Sequence, residues 1–552
     1  MRRANTIQTS ALISLIIILA APNLYTLQSS SIDVWKKLAV LSLFFLIVCI
    51  PFLVLNTKNV LFALSPFVLL VPIELVHDFY YGGRLSTGAI GSLFETNIHE
   101  AKEFFTDRAP IVLLSVLLVI VYFLLLTTLI LQTNLNKRLL SLLIAVAMLN
   151  IISANVYKII SANPSSKYKF HDVVLSAKDL LKNTFPTSSV ISFYRYIVEY
   201  NRLLNSISEK EGFKFNSIQN PLFIDKDEVY ILVLGESSRR KNWSLYGYER
   251  NTTPSLSSRN DLIVYDDFIS TSTITRTSVP LILTRATPLE IDIAYAEKSL
   301  ISTFKESGFE TFWISNQEKY GKHDTASSII AGEADHHAFI SLSIEQAKLD
   351  EELLQQIKNA LRGRDNKKLI IVHTIGSHYA YKNRYSTRYN IFKTDVFDSE
   401  LSNEENRIIN EYDNSIAYTD YFLNEVIDLL MRDGSQSGLF YLSDHGQVLF
   451  DNDKRTNGHG YPAPDRNEVE VPFLVWLSSE YIRNNPSKYE MVVNNKSQKV
   501  SSDSIFHSFT DMANIEFDDL NYELSIFQES FKNDARRLLT PDNNPLEYRT
   551  LK

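Results

Sequence analysis

The segment 438-GLFYLSD-444 is a short apolar run that ends in a serine and an aspartate, and His445 and Gly446 follow it directly. A continuous apolar run of this length is typical of a strand buried on both faces, as in a parallel sheet. Open parallel sheets bind their ligands beyond the carboxyl ends of the strands. We therefore expect an α/β fold in which Asp444 and His445 lie at the edge of a ligand site.

Five further apolar runs have the same character and alternate with helical stretches. They are 229-VYILVLG-235, 263-IVYDDFI-269, 310-ETFWIS-315, 368-KLIIVHTIG-376 and 472-PFLVWL-477. Residues 343–363 and 403–433 are the clearest helical stretches between them. Strands that alternate with helices predict a mostly parallel sheet covered by helices on both faces.

Two other predicted strands end in groups suited to metal or phosphate chemistry. Glu236 follows the run 229–235, and His378 follows the run 368–376. Each has a structural alternative, since Glu236 can cap a helix and a lone histidine is more often structural. If the strands are neighbours, however, carboxylate oxygens and imidazole nitrogens meet there, and this combination suits Zn²⁺ or Mn²⁺.

The stretch 271-TSTITRTSVP-280 carries four threonines at alternate positions. A period of two is typical of a strand with one polar face, but Arg276 and Pro280 disfavour a strand here. The stretch is either a polar loop or a source of a catalytic hydroxyl. A divalent cation can activate a hydroxyl by lowering its pKa. We expect one of these hydroxyls to coordinate the metal and attack the substrate.

Five apolar runs before residue 160 each approach the ~20 residues that cross a bilayer. They are residues 10–27, 37–56, 59–77, 110–132 and 139–157. The first also has features of a signal peptide, but four further runs favour an uncleaved anchor. The distribution of Lys and Arg favours an amino terminus inside, which would place everything after residue 157 outside.

These patterns divide the chain into a transmembrane domain of five helices (1–157), a bridging segment (158–225) and an α/β catalytic domain (226–552). Within the bridge, residues 187–207 form a predicted amphipathic helix, either on the membrane surface or packed on the soluble domain. The formal charge of −8 is mild, so no nucleic-acid partner is expected. The single cysteine, Cys49, excludes an intramolecular disulfide.

With these motifs the chain resembles the membrane-anchored phosphoethanolamine transferases of the alkaline phosphatase and sulfatase superfamily. The motifs that carry the resemblance are 234-LGESSRRKNWSLYGYERNTTPSL-256, 275-TRTSVP-280, 376-GSHYAYKNRY-385, 441-YLSDHGQ-447 and 458-GHGYPAPDRNEVEVPFLVW-476. Their order and spacing are specific, and the likeness covers nearly the whole chain. Well-studied members that modify lipid A have disulfides in the catalytic domain, which this chain lacks, so their acceptor is not carried over.

The resemblance implies four zinc ligands, which are Glu236, Thr275, Asp444 and His445. It also implies that Thr275 is the nucleophile. One or two zinc ions are implied, and manganese is an alternative.

The resemblance further implies that His378 and His459 contact the substrate phosphate or a second zinc. A family lysine follows the third soluble strand. Lys319 and Lys322 are both candidates, and Lys322 is included in the predicted site.

The implied reaction transfers phosphoethanolamine from phosphatidylethanolamine to a cell-envelope acceptor through a covalent threonine intermediate. Lipid A or another part of lipopolysaccharide, a core sugar and a periplasmic glucan are all open as acceptors. The resemblance also implies a multi-pass protein of the bacterial inner membrane, in contact with membrane lipid, with its catalytic domain in the periplasm.

Three alternatives stay open. The first is a phosphoglycerol transferase of the same superfamily. The second is a sulfatase, which is disfavoured because the nucleophile segment lacks the cysteine or serine that is converted to formylglycine. The third is a non-catalytic membrane scaffold or transporter, which the intact set of predicted ligands disfavours.

Overall fold

The computed structural model describes residues 2–26, 33–95, 109–129, 137–161, 170–224, 226–317, 325–341, 348–363, 366–393, 397–453, 455–533 and 535–551. The chain forms two compact units, Met1–Val198 and Glu199–Lys552. We call them the amino-terminal unit and the carboxy-terminal unit.

The amino-terminal unit is helical. Its described α-helices are α1 Arg2–Thr26, α2 Val34–Cys49, α3 Pro51–Val54, α4 Thr57–Val68, α5 Val71–Tyr81, α6 Thr87–Glu95, α7 Ala109–Leu129, α8 Lys137–Ser161, α9 Phe170–Asn183 and α10 Thr187–Lys210, which continues into the second unit. In α10, Phe193 and Tyr194 are exposed, whereas Tyr196 is buried and stacks on Phe94.

Within the described residues, three stretches are long and apolar enough to cross a membrane: Val34–Val54, Ala109–Thr127 and Lys137–Tyr157. The prediction of five such spans is therefore too high. The first predicted run corresponds to a shorter apolar helix, Ser10–Tyr25. The third predicted run is bent and adds a fourth span only if its two halves are counted together.

The bend in the third run lies between α4 and α5, whose axes differ by 43°. Helix α4 ends at Val68, and α5 begins at Val71 with Pro72 in its first turn. A proline has no backbone N–H and is best placed in the first turn of a helix, so Pro72 favours a new helix over continuation of the old one. Counting apolar residues does not detect such a break.

The carboxy-terminal unit combines helices with a central sheet. Its α-helices after α10 are α11 Pro254–Ser257, α12 Thr275–Leu283, α13 Ile293–Ala296, α14 Leu300–Glu306, α15 Ala326–Ala331, α16 Leu353–Leu361, α17 Asn403–Asp433, α18 Ser479–Asn484, α19 Pro486–Asn494 and α20 Ile505–Met512. Its strands are β1 Ile218–Gln219, β2 Glu228–Gly235, β3 Leu262–Val264, β4 Asp267–Ile269, β5 Glu310–Ser315, β6 His336–Phe339, β7 Lys367–His373, β8 Gln436–Ser443, β9 Val448–Leu449, β10 Asn457–Gly458, β11 Phe473–Leu477, β12 Lys499–Ser501, β13 Ile515–Glu516, β14 Arg537–Leu539 and β15 Pro545–Glu547.

The central sheet has seven strands in the order β3-β11-β8-β2-β7-β5-β6. Strands β8, β2, β7, β5 and β6 are mutually parallel, which confirms the predicted parallel core. Strand β11 is antiparallel to both β8 and β3, so the sheet is mixed. The predicted strand 263–269 is also divided, because β4 leaves the sheet and pairs with β12.

Both faces of the sheet are covered. Along β2, Val229, Ile231 and Val233 pack on one side with residues of α16 and α17. The alternate residues pack on the other side with residues of α12, α14 and α20. This alternation follows from the two-residue period of a strand, and burial on both faces explains the uninterrupted apolar run of β2. Helix α17 has the bounds predicted from the sequence.

Candidate metal centre

Three adjacent strands of the sheet, β8, β2 and β7, end at the same edge. Gly235 at the end of β2 is in register with Ser443 at the end of β8. Glu236 and Asp444 therefore follow neighbouring strands, and the Asp444 amide donates to the Gly235 carbonyl over 3.0 Å. The condition stated from the sequence, that these strands be neighbours, is met.

Glu236, Asp444 and His445 form a compact cluster at this edge. One possible ligand atom from each residue lies within 4.8 Å of the others. His445 Nε2 is 3.4 Å from Glu236 Oε1 and 3.5 Å from Asp444 Oδ2. All three side chains are buried, with Glu236 1% exposed. The structure thus brings together three of the four predicted ligands.

Thr275 completes the predicted set. Its hydroxyl Oγ1 lies 3.2 Å from Glu236 Oε2 and 3.3 Å from His445 Nε2. The residue is the first of α12, after Ile274 in an extended conformation. The amino-terminal end of a helix favours negative charge, as on a phosphoryl group. Thr275 is only partly buried, whereas the cluster beside it is closed off from solvent.

The chemistry of these side chains fits a bound cation. His445 Nδ1 lies 2.9 Å from the Gly446 carbonyl, which can only accept, so Nδ1 carries the hydrogen and Nε2 presents its lone pair to the cluster. Asp444 Oδ2 is buried and has no hydrogen-bond partner among the described residues. Burial, and then repulsion from Asp444, raise the pKa of Glu236 well above its ordinary value. Two carboxylates, an imidazole lone pair and a hydroxyl oxygen match the ligands of a divalent metal.

Residues that sequence reasoning missed hold these side chains in place. The Ser237 hydroxyl donates to Glu236 Oε1 over 2.7 Å, and its amide donates to Asp444 Oδ1 over 3.1 Å. Ser237 has a φ of 58°, in the left-handed region that a serine rarely adopts. Through its hydroxyl and its amide, this one residue contacts both carboxylates.

Gln317 is a second residue that the sequence analysis missed. Its side-chain amide donates to Glu236 Oε2 over 3.2 Å and to the Thr374 carbonyl over 3.0 Å. It follows β5 by two residues, at the same edge of the sheet as the cluster. The rule that ligands bind beyond the carboxyl ends of strands places Gln317 at this edge, although it does not show the contact with Glu236.

His459 lies directly beside the cluster. Its ring stacks on the ring of His445, with centroids 3.8 Å apart, and Nδ1 lies 3.0 Å from the Thr273 carbonyl. Desolvation, and then the nearby His445, lower the pKa of His459 well below its ordinary value. The amide of Ser377 donates to the Glu236 carbonyl over 2.9 Å, so the segment that carries His378 also lies beside the cluster. Lys319 and Lys322 lie outside the described residues.

The alternating threonines of 271–280 have separate environments. Thr271 is buried, and its hydroxyl lies 2.7 Å from that of Ser502. Thr273 supplies the carbonyl that holds His459, and Thr277 bonds Ser272 inside the loop. Only Thr275 is placed at the cluster, where the chain changes from loop to helix. The period of two therefore does not reflect a strand.

The signature after Glu236 folds onto itself and onto α17. Thr252 Oγ1 donates to the Asn242 carbonyl over 2.6 Å, and Thr253 Oγ1 accepts from the Leu245 amide over 2.8 Å. The Tyr248 hydroxyl donates to Asp413 over 2.9 Å. These contacts fix the loop and the entry into the short helix α11.

A family model described as Sulfatase matches residues 228–515, which is more than half of the chain. The chain belongs to the sulfatase family. The matched region begins at β2 and contains Glu236, Thr275, Asp444 and His445.

Two curated proteins are similar along most of their length. Phosphoethanolamine transferase EptC of Escherichia coli (strain K12) is 28% identical over 494 residues, which is 85% of this chain and 83% of that protein. Phosphoethanolamine transferase CptA of Salmonella typhimurium (strain LT2) is 28% identical over 493 residues, with the same shares.

Two solved structures of phosphoethanolamine transferases are also similar to this chain. The crystal structure of the carboxy-terminal periplasmic domain of Escherichia coli EptC in complex with Zn is 29% identical, with a TM-score of 0.56, and covers 59% of this chain and 94% of that one. Lipooligosaccharide phosphoethanolamine transferase A from Neisseria meningitidis, an integral membrane protein, has a TM-score of 0.72 at 19% identity and covers 94% of this chain and 97% of that one. The second comparison shows the fold alone. Together these findings confirm the resemblance to membrane-anchored phosphoethanolamine transferases.

Proposed function

We propose that this protein transfers phosphoethanolamine from phosphatidylethanolamine to a cell-envelope glycan or lipopolysaccharide, with Thr275 as the nucleophile. The observation that carries the proposal is the position of the Thr275 hydroxyl, 3.2 Å from a buried glutamate and 3.3 Å from a buried imidazole at the start of a helix. The similarity to EptC and CptA over 85% of the chain supports the choice of transferred group.

Glu236, Asp444, His445 and Thr275 would hold the metal, which we propose to be Zn²⁺ and which is bound in the crystal structure of the EptC domain. A bound divalent metal would lower the pKa of the Thr275 hydroxyl and neutralise charge that builds up on the phosphoryl oxygens. The number of metal ions is open, and Mn²⁺ is an alternative.

In the first half of the reaction, Thr275 Oγ1 forms a bond to phosphorus while the bond from phosphorus to the diacylglycerol oxygen breaks. The threonine proton is released, and the departing diacylglycerol oxygen takes up a proton. Glu236 and His445 orient Oγ1, and the helix amino terminus favours the negative charge of the phosphoryl group. The product of this half is phosphoethanolamine-threonine.

In the second half, an oxygen of the acceptor attacks phosphorus, the bond to Thr275 Oγ1 breaks, and the threonine regains a proton. The acceptor gives up its proton at this step. His459 suits the role of base because Nδ1 donates to the Thr273 carbonyl, which leaves Nε2 as an acceptor. His378, on the segment after β7, is the second candidate.

The amino-terminal unit suits a lipid donor. Its candidate spans would hold the protein in the bilayer that contains phosphatidylethanolamine. We place the protein in the bacterial inner membrane with the carboxy-terminal unit in the periplasm, in agreement with the periplasmic domain named for EptC.

The intact mass of the purified full chain, after incubation with phosphatidylethanolamine and metal, tests the donor and the nucleophile together. We expect a phosphoethanolamine adduct on the wild type that maps to Thr275 and is absent from Thr275→Ala. Thr275→Ser, which retains a hydroxyl, is the matched control and should form the adduct more slowly. A glycerophosphate adduct from phosphatidylglycerol would instead identify a phosphoglycerol transferase. Full transfer by Thr275→Ala would exclude the mechanism.

A further inference from the structure

A buried glutamate, Glu468, closes the loop that carries His459. It belongs to the motif 458-GHGYPAPDRNEVEVPFLVW-476, and the proposed reaction steps do not use it. The residue ends a short 3-10 helical turn, Arg466–Glu468, and its side chain is fully buried. A glutamate is rarely buried this completely unless its oxygens have partners, so the partners indicate what the residue does.

Three backbone amides donate to the Glu468 carboxylate. Oε1 accepts from Gly460 over 2.6 Å and from Tyr461 over 3.1 Å, and these are the two residues directly after His459. Oε2 accepts from Asp465 over 2.7 Å, at the other end of the loop. Burial raises the pKa of Glu468 to about 8, and the amide hydrogen bonds counteract this shift. One side chain therefore holds both ends of the segment 460–465.

The backbone of Glu468 contacts the residue after His445. The Gly446 amide donates to the Glu468 carbonyl over 2.8 Å. The two segments approach so closely that a Cβ added at Gly446 would overlap the Asn467 carbonyl, which explains the glycine. Glu468 thus joins the strand end that carries His445 to the loop that carries His459.

These contacts leave the His459 ring little freedom. The ring stacks on that of His445, and Nδ1 is held by the Thr273 carbonyl. Gly460 has a φ of 78°, and a Cβ there would lie 3.1 Å from the side chain of Ile274, the last residue before α12. The loop is therefore packed between the end of β8 and the start of α12. The buried carboxylate fixes it from the third side.

We propose that Glu468 is a positioning residue that orients His459 Nε2 toward the acceptor oxygen in the second half of the reaction. This inference rests on the proposed function, because it names the group that fixes the proposed base. In that step the acceptor oxygen bonds to phosphorus, the bond to Thr275 Oγ1 breaks, and the proton of the acceptor passes to Nε2. Glu468 acts on this step through the backbone of the loop, without contacting the reacting atoms.

Reaction of His459 with diethyl pyrocarbonate tests the placement of the ring without any substrate. The reagent acylates the accessible lone-pair nitrogen of an imidazole, and peptide mass spectrometry of the full chain in detergent gives the rate at each histidine. The exposed His336 is the internal reference. Glu468→Gln keeps one oxygen for the loop amides but loses the second acceptor, so we expect about fivefold faster modification of His459.

Glu468→Leu removes both acceptor oxygens and should raise the rate at His459 at least about tenfold. Glu228→Gln, at a buried glutamate on the opposite end of β2 from Glu236, is the matched control and should leave the rate unchanged. Equal rates at His459 in the wild type and both Glu468 variants would overturn the inference.

Turnover of the threonine adduct tests whether Glu468 acts through His459. The full chain is charged with phosphatidylethanolamine and Zn²⁺, and intact mass follows the loss of the adduct to water, which serves as the acceptor. We expect about 10–100-fold slower loss in Glu468→Leu and a smaller effect in Glu468→Gln. In a His459→Gln background, either change at Glu468 should slow the loss by less than about twofold further. A merely structural residue would slow both backgrounds equally, and that result would overturn the inference.

Failure of the two proposals is distinguishable. If phosphatidylethanolamine gives no adduct on the wild type while the Glu468 variants modify faster at His459, the donor reaction is rejected and the placement of His459 by Glu468 is supported. If the adduct forms on the wild type while modification of His459 ignores Glu468, only the positioning role is rejected.

Discussion

The two ends of strand β2 each carry a buried glutamate, Glu228 at the first residue and Glu236 just after the last. At the first end, Glu228 Oε1 accepts from Gln219 over 2.8 Å, and Oε2 accepts from the Tyr230 hydroxyl over 2.7 Å. Lys367 lies 3.5 Å away and supplies a positive charge. Each oxygen therefore has a donor, and the carboxylate has a counter-ion.

At the other end, Glu236 also receives hydrogen bonds, but no arginine or lysine among the described residues pairs with it. It faces a second buried carboxylate, Asp444, and the lone pair of His445. The two glutamates have almost the same burial, so burial alone does not identify the functional end. The excess of negative charge does, because two buried carboxylates side by side must either bind a cation or take up a proton.

The first prediction concerns the loss of the Glu236 carboxylate. Glu236→Gln removes a proposed metal ligand and should lower both bound metal and phosphoethanolamine transfer at least about 10³-fold, as for other members of a catalytic unit. Glu228→Gln, the matched change at the other end of the strand, should leave bound metal and transfer near wild type. Metal analysis of the purified proteins and headgroup-transfer assays measure both. Full metal occupancy in Glu236→Gln would show that Glu236 is not needed to hold the metal.

A smaller effect is expected at Ser237, which hydrogen-bonds both carboxylates. Loss of its hydroxyl in Ser237→Gly should weaken metal binding about 10–100-fold, the usual range for groups that orient a ligand. Ser237→Ala loses the same hydroxyl but keeps the Cβ that serine has at a φ of 58°, so it should be ~1 kcal/mol less stable than Ser237→Gly. Metal titration and thermal unfolding separate the two contributions. Unchanged metal affinity in both variants would show that the hydroxyl is dispensable.

The third prediction concerns the contribution of Glu228, the first residue of β2, to the stability of the fold. Glu228→Gln replaces one carboxyl oxygen with an amide nitrogen, which cannot accept the hydrogen bond from Gln219 or Tyr230. The unsatisfied buried donor should destabilise the fold by about 1–3 kcal/mol. Hydrogen exchange of amides in β2 and β8 measures the local change. Glu480→Gln, at an exposed pair with Arg483, is the control and should leave these amides unaffected. Equal protection in the two variants would contradict the structural role given to Glu228.

The smallest effect concerns pH. Burial is the main cause that raises the pKa of Glu228 above its ordinary 4.5. Its contribution to stability is therefore complete below pH 4.5 and declines as the pH rises through the raised pKa, by about 1.4 kcal/mol for each pH unit between the ordinary and the raised pKa. Glu228→Gln should remove this dependence.

Metal binding at Glu236 should show the opposite trend. Ligands must be deprotonated to bind, so affinity should increase as the pH rises through the raised pKa of Glu236. Hydrogen exchange and metal titration over the same pH series compare the two ends. If stability and metal affinity changed with pH in the same direction, the two glutamates would not have the separate roles given to them.

The residues at the carboxyl ends of the central strands were predictable from local sequence. The apolar runs of β2, β7 and β8 and the polar residues directly after them identified Glu236, Asp444 and His445 as residues at strand ends. The bounds of α17 were also correct, because its pattern and its Ser402 cap are local features. Local patterns determine where an element begins, where it ends and which residues lie just beyond its end.

Other features depend on the order and direction of the strands. The sequence could not show that β11 runs antiparallel, since an apolar run reads the same in either direction. It also could not show that Gln317 reaches Glu236, because this contact requires β5 and β2 to lie on the two sides of β7. The bent third apolar run was missed for a similar reason, as length and hydropathy do not report direction.

Residue patterns alone indicated the α/β class of the second unit, the apolar character of the first unit and the residue types that can hold a metal. The folded structure shows which of the two equally buried glutamates lies beside a lysine and which faces a second carboxylate. The physical reason is that electrostatic interactions depend on distance and burial. The register of β2 with β8 sets both quantities for Glu236, and it joins residues more than two hundred positions apart in the chain.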